Sequence, residues 1–353
     1  GEQQTRLRLF LEEDRARGFD LARAPLMRMT LIRLGETAYQ FTWTHHHLLL
    51  DGWSGAILLK EVFAYYETAL NGEELQLEPA RPYRDYIQWL QRQDTAAAES
   101  YWRRALAGFN RPTPLGFGRA AAARADEASA HSHGEQEVRL SAALTGALQR
   151  VARQHRLTLN SVMQGAWGLV LSRLSGEQEV VYGVVMSGRS ADLAGVETMV
   201  GLFINTLPMR VRVDGGQKVV EWLQRLQAEQ AEVRRYEYSS LAQVQRWSEV
   251  PAGIPLFESA MRFQNYPVDP SLTEGDAELR IPSATSVDHW HYAMNLVVNL
   301  GAQMALRMTY AEQRFDGDTI RGVLEELRDV LERMAINPKA QTVDDLLASV
   351  AKG

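Results

Sequence analysis

The sequence predicts a two-lobed α/β protein. Three observations carry this. Strand and helix signals alternate along the whole chain, and a break in composition over residues 108–135 separates two halves. The 353 residues, 45% of them hydrophobic, supply more core than one small domain needs.

The elements follow in order. Residues 2–18 place Leu7, Phe10 and Leu11 at helical spacing among charges. Arg28–Leu34 and Ala38–Leu50 read as two strands joined by a turn at Gly35-Glu36-Thr37. A helix from about Ser54 to Leu70 is carried by Ile57, Leu58, Val62, Phe63, Tyr65 and Tyr66, and a second helical stretch runs from Tyr83 towards Leu106. The segment 108–135, which contains AAAARADEASAHSHGEQ, reads as a linker. The division is therefore 1–110, a linker at 111–135, and 136–353.

In the second half a strand is expected near Gln136–Leu140, with Ser141 capping a helix to about Gln154 and Asn160 capping another to about Leu174. Glu179–Met186 is an apolar strand followed by Ser187-Gly188-Arg189. The strand NTLPMRVRV, a helix around Glu221–Tyr236, the strand LFESAMRFQNYP, a strand pair around Met294–Asn299 and Met304–Tyr310, and a helix from Asp316 to Met334 complete the pattern. No short internal repeat is present.

Bulk properties exclude several classes. The net charge of −6 leaves no basic footprint for nucleic acid. With no cysteine, disulfides and thiolate metal sites are ruled out, and a reducing cytoplasm is compatible. No apolar run is long enough to span a bilayer, and GEQQTRLRLF lacks the apolar stretch of a signal peptide.

The chemistry is expected at THHHLLLDGWS, Thr44–Ser54. Read as a strand end, it puts His45 and His47 on one face and His46 on the other. A turn at Asp51-Gly52 then leads into a helix, whose first amides can stabilise a developing oxyanion, and Gly52 lets a substrate approach the backbone. A neutral imidazole near pH 7 can accept a proton from an attacking group. Asp51 is either a base or a buried acid that fixes the turn; beside three leucines it needs a cationic partner. Two other readings compete: satisfied strand histidines, or a metal held by His45, His47 and Asp51. The metal needs a further ligand, and the histidines at 131, 133, 155, 289 and 291 show no ligand pattern, so none is expected.

His46-His47-Leu48-Leu49-Leu50-Asp51-Gly52, followed by Trp53-Ser54, resembles HHxxxDG, the signature of condensation domains of nonribosomal peptide synthetases. Tyr83–Trp89 resembles the family's YxDFxxW block, Ser187–Arg189 its SGR segment, and Val200–Arg210 its VGxFxNTxxxR block. LAQVQRWS at 241–248 and FQNYP at 263–267 are similar to later motifs, so the likeness runs from about residue 15 to about 345.

This resemblance implies two chloramphenicol acetyltransferase-like lobes in a V-shaped pseudo-dimer around a central tunnel. It implies donor and acceptor peptidyl carrier proteins as partners, bringing substrates on phosphopantetheine arms, with an adjacent adenylation domain in a larger cytoplasmic synthetase. No intrinsic cofactor is implied. The reaction is amide-bond formation: the acceptor's amine attacks the donor's thioester. His47 matches the residue assigned to catalysis, with His46 and Gly52 beside it, and Asp51 matches an acid paired with Arg189. Trp53, Ser54, Ser187 and Asn205 are candidate substrate, tunnel or loop contacts. Both histidines are kept, where heterocyclization domains carry an Asp-rich motif. GLFINTLP favours condensation over epimerization, and the wording of the motifs favours an L-configured donor. A non-catalytic carrier-docking module is the alternative. In the family a longer stretch precedes HHxxxDG, so the first lobe is expected to be incomplete, with an exposed sheet edge and a tendency to self-associate.

Overall fold

The computed structural model describes residues 1–117, 132–190, 192–264 and 292–348. They form two compact units, and these are discontinuous in sequence. The first holds Gly1–Gln91 together with Arg189–Ile204; the second holds the described residues of Arg92–Gly188, Asn205–Pro267 and the C-terminal part.

In the first unit, α1 (Glu2–Ala16) precedes a two-stranded antiparallel sheet, β1 (Met27–Arg33) and β2 (Tyr39–His45). The Leu34 amide closes the hairpin on the Ala38 carbonyl at 2.8 Å. Its register pairs Met29 with Trp43 and Leu31 with Phe41. Because side chains alternate along a strand, these residues share one face, and Met29, Leu31, Tyr39 and Phe41 on it are exposed. The sheet has no third strand among the described residues.

α2 (Gly52–Leu70) follows, capped by Asp51, whose carboxylate accepts from the Ser54 amide. It stops at Asn71-Gly72, where Gly72 takes a φ of 69°. α3 (Tyr83–Gln91) brings Tyr86, with Tyr83, Trp89 and Leu90, against Val196, Met199 and Phe203 in a small aromatic core.

The second unit is built on a six-stranded sheet. Its strands are β3 (His133–Arg139), β4 (Glu179–Met186), β5 (Asn205–Arg212), β6 (Ser259–Gln264), β7 (Met294–Asn299) and β8 (Ala305–Ala311), in the order β3-β8-β7-β6-β4-β5. β6 runs parallel to both β4 and β7; the other pairs are antiparallel. Around it pack α4 (Thr95–Ala105), α5 (Ala142–Gln154), α6 (Leu159–Ser175), α7 (Val219–Arg235), α8 (Leu241–Trp247), α9 (Gly317–Ile336) and α10 (Val343–Ala348).

α6 is buried without a break from Ser161 to Ser172, as befits a helix apolar nearly all round. Its glycines allow close neighbours: a Cβ at Gly165 would stand 2.5 Å from a Leu223 methyl. α9 shows the opposite pattern. Its stripe of Ile320, Val323, Leu324, Leu327, Val330, Leu331 and Met334 is buried and the other face is polar.

Several sequence expectations are corrected. β2 ends at His45, so His46 and His47 lie in the following turn and strand alternation does not place them. The stretch from Tyr83 to Leu106 is two helices, because Asp94 caps a new one through the Ala97 amide. Thr158, not Asn160, caps α6 by accepting from the Ser161 amide at 3.0 Å. The helix at 95–105 packs with the second unit, since Ala98, Trp102 and Leu106 are buried in that unit's core. Part of the expected linker is also structured. Phe109 and Leu115 are buried, Thr113 hydrogen-bonds both backbone groups of Val181, and β3 starts at His133. Residues 118–131 of the linker and Asn265-Tyr266-Pro267 of the later motif lie outside the described residues.

Candidate active site

The turn after β2 is fixed by backbone bonds. The His46 amide donates to the Leu26 carbonyl at 2.9 Å, and the Leu49 amide donates to the His46 carbonyl at 3.0 Å. The Leu48 amide donates to His46 Nδ1 at 3.1 Å, so the neutral ring carries its proton on Nε2. His47, next in the turn, is exposed, and its imidazole has no hydrogen-bond partner among the described residues. His45 stacks obliquely on Trp43, with ring centroids 5.1 Å apart.

Asp51 is the buried acid of the site. One oxygen accepts from the Ser54 amide at 2.8 Å and from Arg189 Nη2 at 3.3 Å; the other accepts from the Phe203 amide at 3.1 Å. Both oxygens are thus engaged, and the carboxylate side chain is 0% exposed against 5% for Arg189. A charge this deeply desolvated persists only when paired and hydrogen-bonded, and removing one member of such a pair typically costs about 3–5 kcal/mol.

Ser54 saturates the same cluster. Its hydroxyl donates to the Gly201 carbonyl at 2.8 Å and accepts from the Gly201 amide at 3.0 Å and Arg189 Nη2 at 2.9 Å. One donor and two acceptor lone pairs are the whole capacity of a hydroxyl. Arg189 Nη1 donates to the Val196 and Met199 carbonyls, and the guanidinium lies 4.0 Å from the centre of the Phe203 ring. Trp53 sits 5.6 Å from the same guanidinium and donates its indole N–H to the Glu197 carbonyl.

Sequence reasoning does not single out three residues of this cluster: Tyr83, Gly201 and Phe203. The Tyr83 hydroxyl donates to the Leu202 carbonyl. Burial first, then the Asp51 charge, push its phenol above the ordinary value, with Arg189 opposing, so it stays a donor. Gly201 has to be glycine, since a Cβ there would come within 2.1 Å of the Tyr83 ring. The signal is present in the blocks at Tyr83–Trp89 and Val200–Arg210, but nothing in their periodicity says that they meet.

The remaining candidates are placed as follows. Gly52 is the first residue of α2 and exposed, and the amides of Gly52 and Trp53 have no acceptor among the described residues. Ser187 is exposed directly after β4. Asn205 opens β5 in the second unit and donates both amide protons, to the Glu237 and Ser239 carbonyls at 2.9 and 2.6 Å. Among the described residues no group of three or more His, Asp or Glu side chains is arranged to hold a metal ion.

The condensation-domain family model matches residues 1–352. A linear gramicidin synthase of Brevibacillus parabrevis is 44% identical over 97% of this chain. The chain spans only 4–7% of the length of the linear gramicidin synthases it matches. A solved four-domain nonribosomal peptide synthetase bound to AMP and glycine superposes with a TM-score of 0.78 at 19% identity, covering 97% of this chain and 27% of that one. The complex of the X-domain and OxyB from teicoplanin biosynthesis gives a TM-score of 0.75 at 22% identity, covering 93% and 74%. These two solved structures share the fold.

Proposed function

The chain belongs to the condensation-domain family of nonribosomal peptide synthetases, and from that premise we propose that it joins a carrier-bound donor acyl or peptidyl thioester to the amine of a carrier-bound acceptor. The observation that carries this reading is the division of labour around the turn. Asp51 is spent on Arg189, Ser54 and Phe203, while the His47 imidazole two residues beyond β2 is exposed and uncommitted.

In this reading the acceptor nitrogen attacks the thioester carbon, the N–C bond forms and the C–S bond breaks. His47 takes the amine's proton and returns it to the departing thiolate, leaving an amide and a free thiol. The first amides of α2, at Gly52 and Trp53, are donors suited to the developing oxyanion. Carrier delivery makes positioning a large part of the rate. The thiols would be those of phosphopantetheine arms, the partners donor and acceptor carrier domains with an adenylation domain alongside, the donor L-configured, and the setting cytoplasmic, which suits a chain without cysteine.

A second reading, a docking module without catalysis, is favoured by the likeness to a domain solved in complex with a partner protein. A single-turnover assay by intact-protein mass spectrometry separates the two. Donor-loaded and acceptor-loaded carriers are mixed with the chain or with His47→Ala. A mass gain on the acceptor carrier that His47→Ala reduces at least ~100-fold is expected from the loss of a general base. Undiminished transfer by His47→Ala would remove its assigned role, and carrier binding with no transfer by either protein would favour docking.

A further inference from the structure

A second arginine, outside the motif, is built into the support of the histidine turn. Arg28 lies on β1 in register with Thr44 of β2. Its Nε donates to Asp14 Oδ1, its Nη2 to the Asp14 carbonyl and its Nη1 to the Gly18 carbonyl, each at 2.7 Å. The other oxygen of Asp14 accepts from the Thr44 hydroxyl. The side chains of Arg28 and Asp14 are 20% and 11% exposed, so this is a largely covered, charge-assisted network and not a loose surface pair. Arg28 holds the Asp14 carboxyl below its ordinary value, chiefly by hydrogen bonding.

The network leads to one place. The Arg28 guanidinium lies 4.2 Å over the Phe19 ring, and that ring stands nearly perpendicular to the His46 imidazole, at 87° with the ring centroids 6.4 Å apart. Thr44, the other arm, stands two residues before His46. His46 in turn holds the turn closed by accepting the Leu48 amide on Nδ1. An imidazole that rotated or switched tautomer would release that amide and shift the next residue, His47.

We propose that Arg28, locked by Asp14 and acting through Phe19, is a positioning residue that fixes the His46 ring and thereby the place of His47. The importance of His47 itself rests on the function proposed above; the orientation of His46 does not. The order of events is mechanical. Asp14 and Gly18 aim the guanidinium, the guanidinium fixes the Phe19 ring, and the perpendicular ring confines the imidazole.

The test uses the full chain with 15N-labelled histidine, the His46 resonances being assigned with His46→Ala. The parent is expected to show one His46 tautomer, with the proton on Nε2. Arg28→Ala is expected to mix the tautomers and to slow single-turnover amide formation by about 100-fold, the scale of a misplaced catalytic group, with carrier affinity unchanged. Arg28→Lys, which keeps charge and loses the fork, is expected to fall between. Phe19→Leu keeps the Asp14 pair and removes the aromatic ring, so it too is expected to mix the tautomers. Arg103→Ala, which removes an exposed pair with Glu99, is expected to change neither readout. A His46 signal unaltered in folded Arg28→Ala overturns the proposal. Should that variant not fold, an unaltered signal in Phe19→Leu overturns it. If the parent forms no amide, the proposed function fails while the tautomer readout still decides this inference.

Discussion

The two units of this chain owe their stability to different physics. The second is a layered sheet-and-helix body with a large, mainly apolar core and no buried ion pair like that of Asp51 among the described residues, with Trp102, Trp167, Trp222, Phe257 and Phe315 all but inaccessible. Among its described residues the first has only a two-stranded sheet and exposes Met29, Leu31, Tyr39 and Phe41. What it buries is a small mixed cluster: the polar Asp51, Ser54 and Arg189 side chains beside Leu50, Tyr86, Val196, Met199 and Phe203. Apolar burial is forgiving because it is non-directional, roughly 25 cal/mol per Å² wherever the area lies. A buried ion pair is not, because each partner left alone keeps its full desolvation penalty. The catalytic candidates therefore sit in the unit most sensitive to a single polar substitution.

The largest effect expected from breaking this contrast is in the first unit. Arg189→Ala leaves Asp51 buried with no cation and should cost about 3–5 kcal/mol there. Urea unfolding followed by hydrogen exchange should show earlier opening of residues 52–70, with α6 amides unmoved; equal loss in both units would erase the distinction.

Next comes Leu331→Ala in the second unit. Its side chain is fully buried in the stripe of α9, and the cavity should cost about 2–5 kcal/mol. The same exchange experiment should show α6 and α9 opening earlier while the first unit holds.

The smallest effect sharpens the comparison between two acids. Asp51 has its arginine, whereas burial raises the carboxyl of Glu237 above its ordinary 4.5, with only Arg234 opposing. The folded state then holds that proton more tightly than the unfolded one. This contribution to stability is fully present below pH 4.5 and is lost as pH rises through the folded value. Glu237→Gln should remove that fall, so its advantage over the parent in thermal unfolding should appear above pH 4.5 and be absent at pH 4.

What the sequence makes legible follows from how local each signal is. α5 and its Ser141 cap, β4 with its bounds at Glu179 and Met186, and α9 starting beside Asp316 are set by periodicity and, at the helix starts, by one adjacent hydrogen bond. The break at Asp94 is hidden because aromatic residues on both sides of it keep helical spacing. Thr158 and Asn160 both suit a cap, and only backbone geometry selects between them. The end of β2 is obscured because Leu48–Leu50 look like more strand, although the chain there is turning. Contacts such as Asp51 with Arg189, or Tyr83 with Gly201, join residues more than a hundred positions apart. No window of residues encodes them, and only the ordered motifs of a known family point to the Asp51 pair.

The placement of Arg189–Ile204 in the first unit, although it joins β4 to β5 in the chain, sets a timetable for biosynthesis. Asp51 leaves the ribosome well before its counter-ion and must wait in solvent, or among chaperones, until residue 189 emerges. The six-stranded sheet waits longer, because β8, which separates β3 from β7, ends at Ala311. At about 5–20 residues per second, the stretch from 204 to 311 takes roughly 5–20 s to appear. For that interval the polar cluster can be complete while the large apolar core is not. Translational pausing within that stretch would lengthen the exposure of the second unit's core after the partners of the polar cluster, up to Phe203, have all emerged.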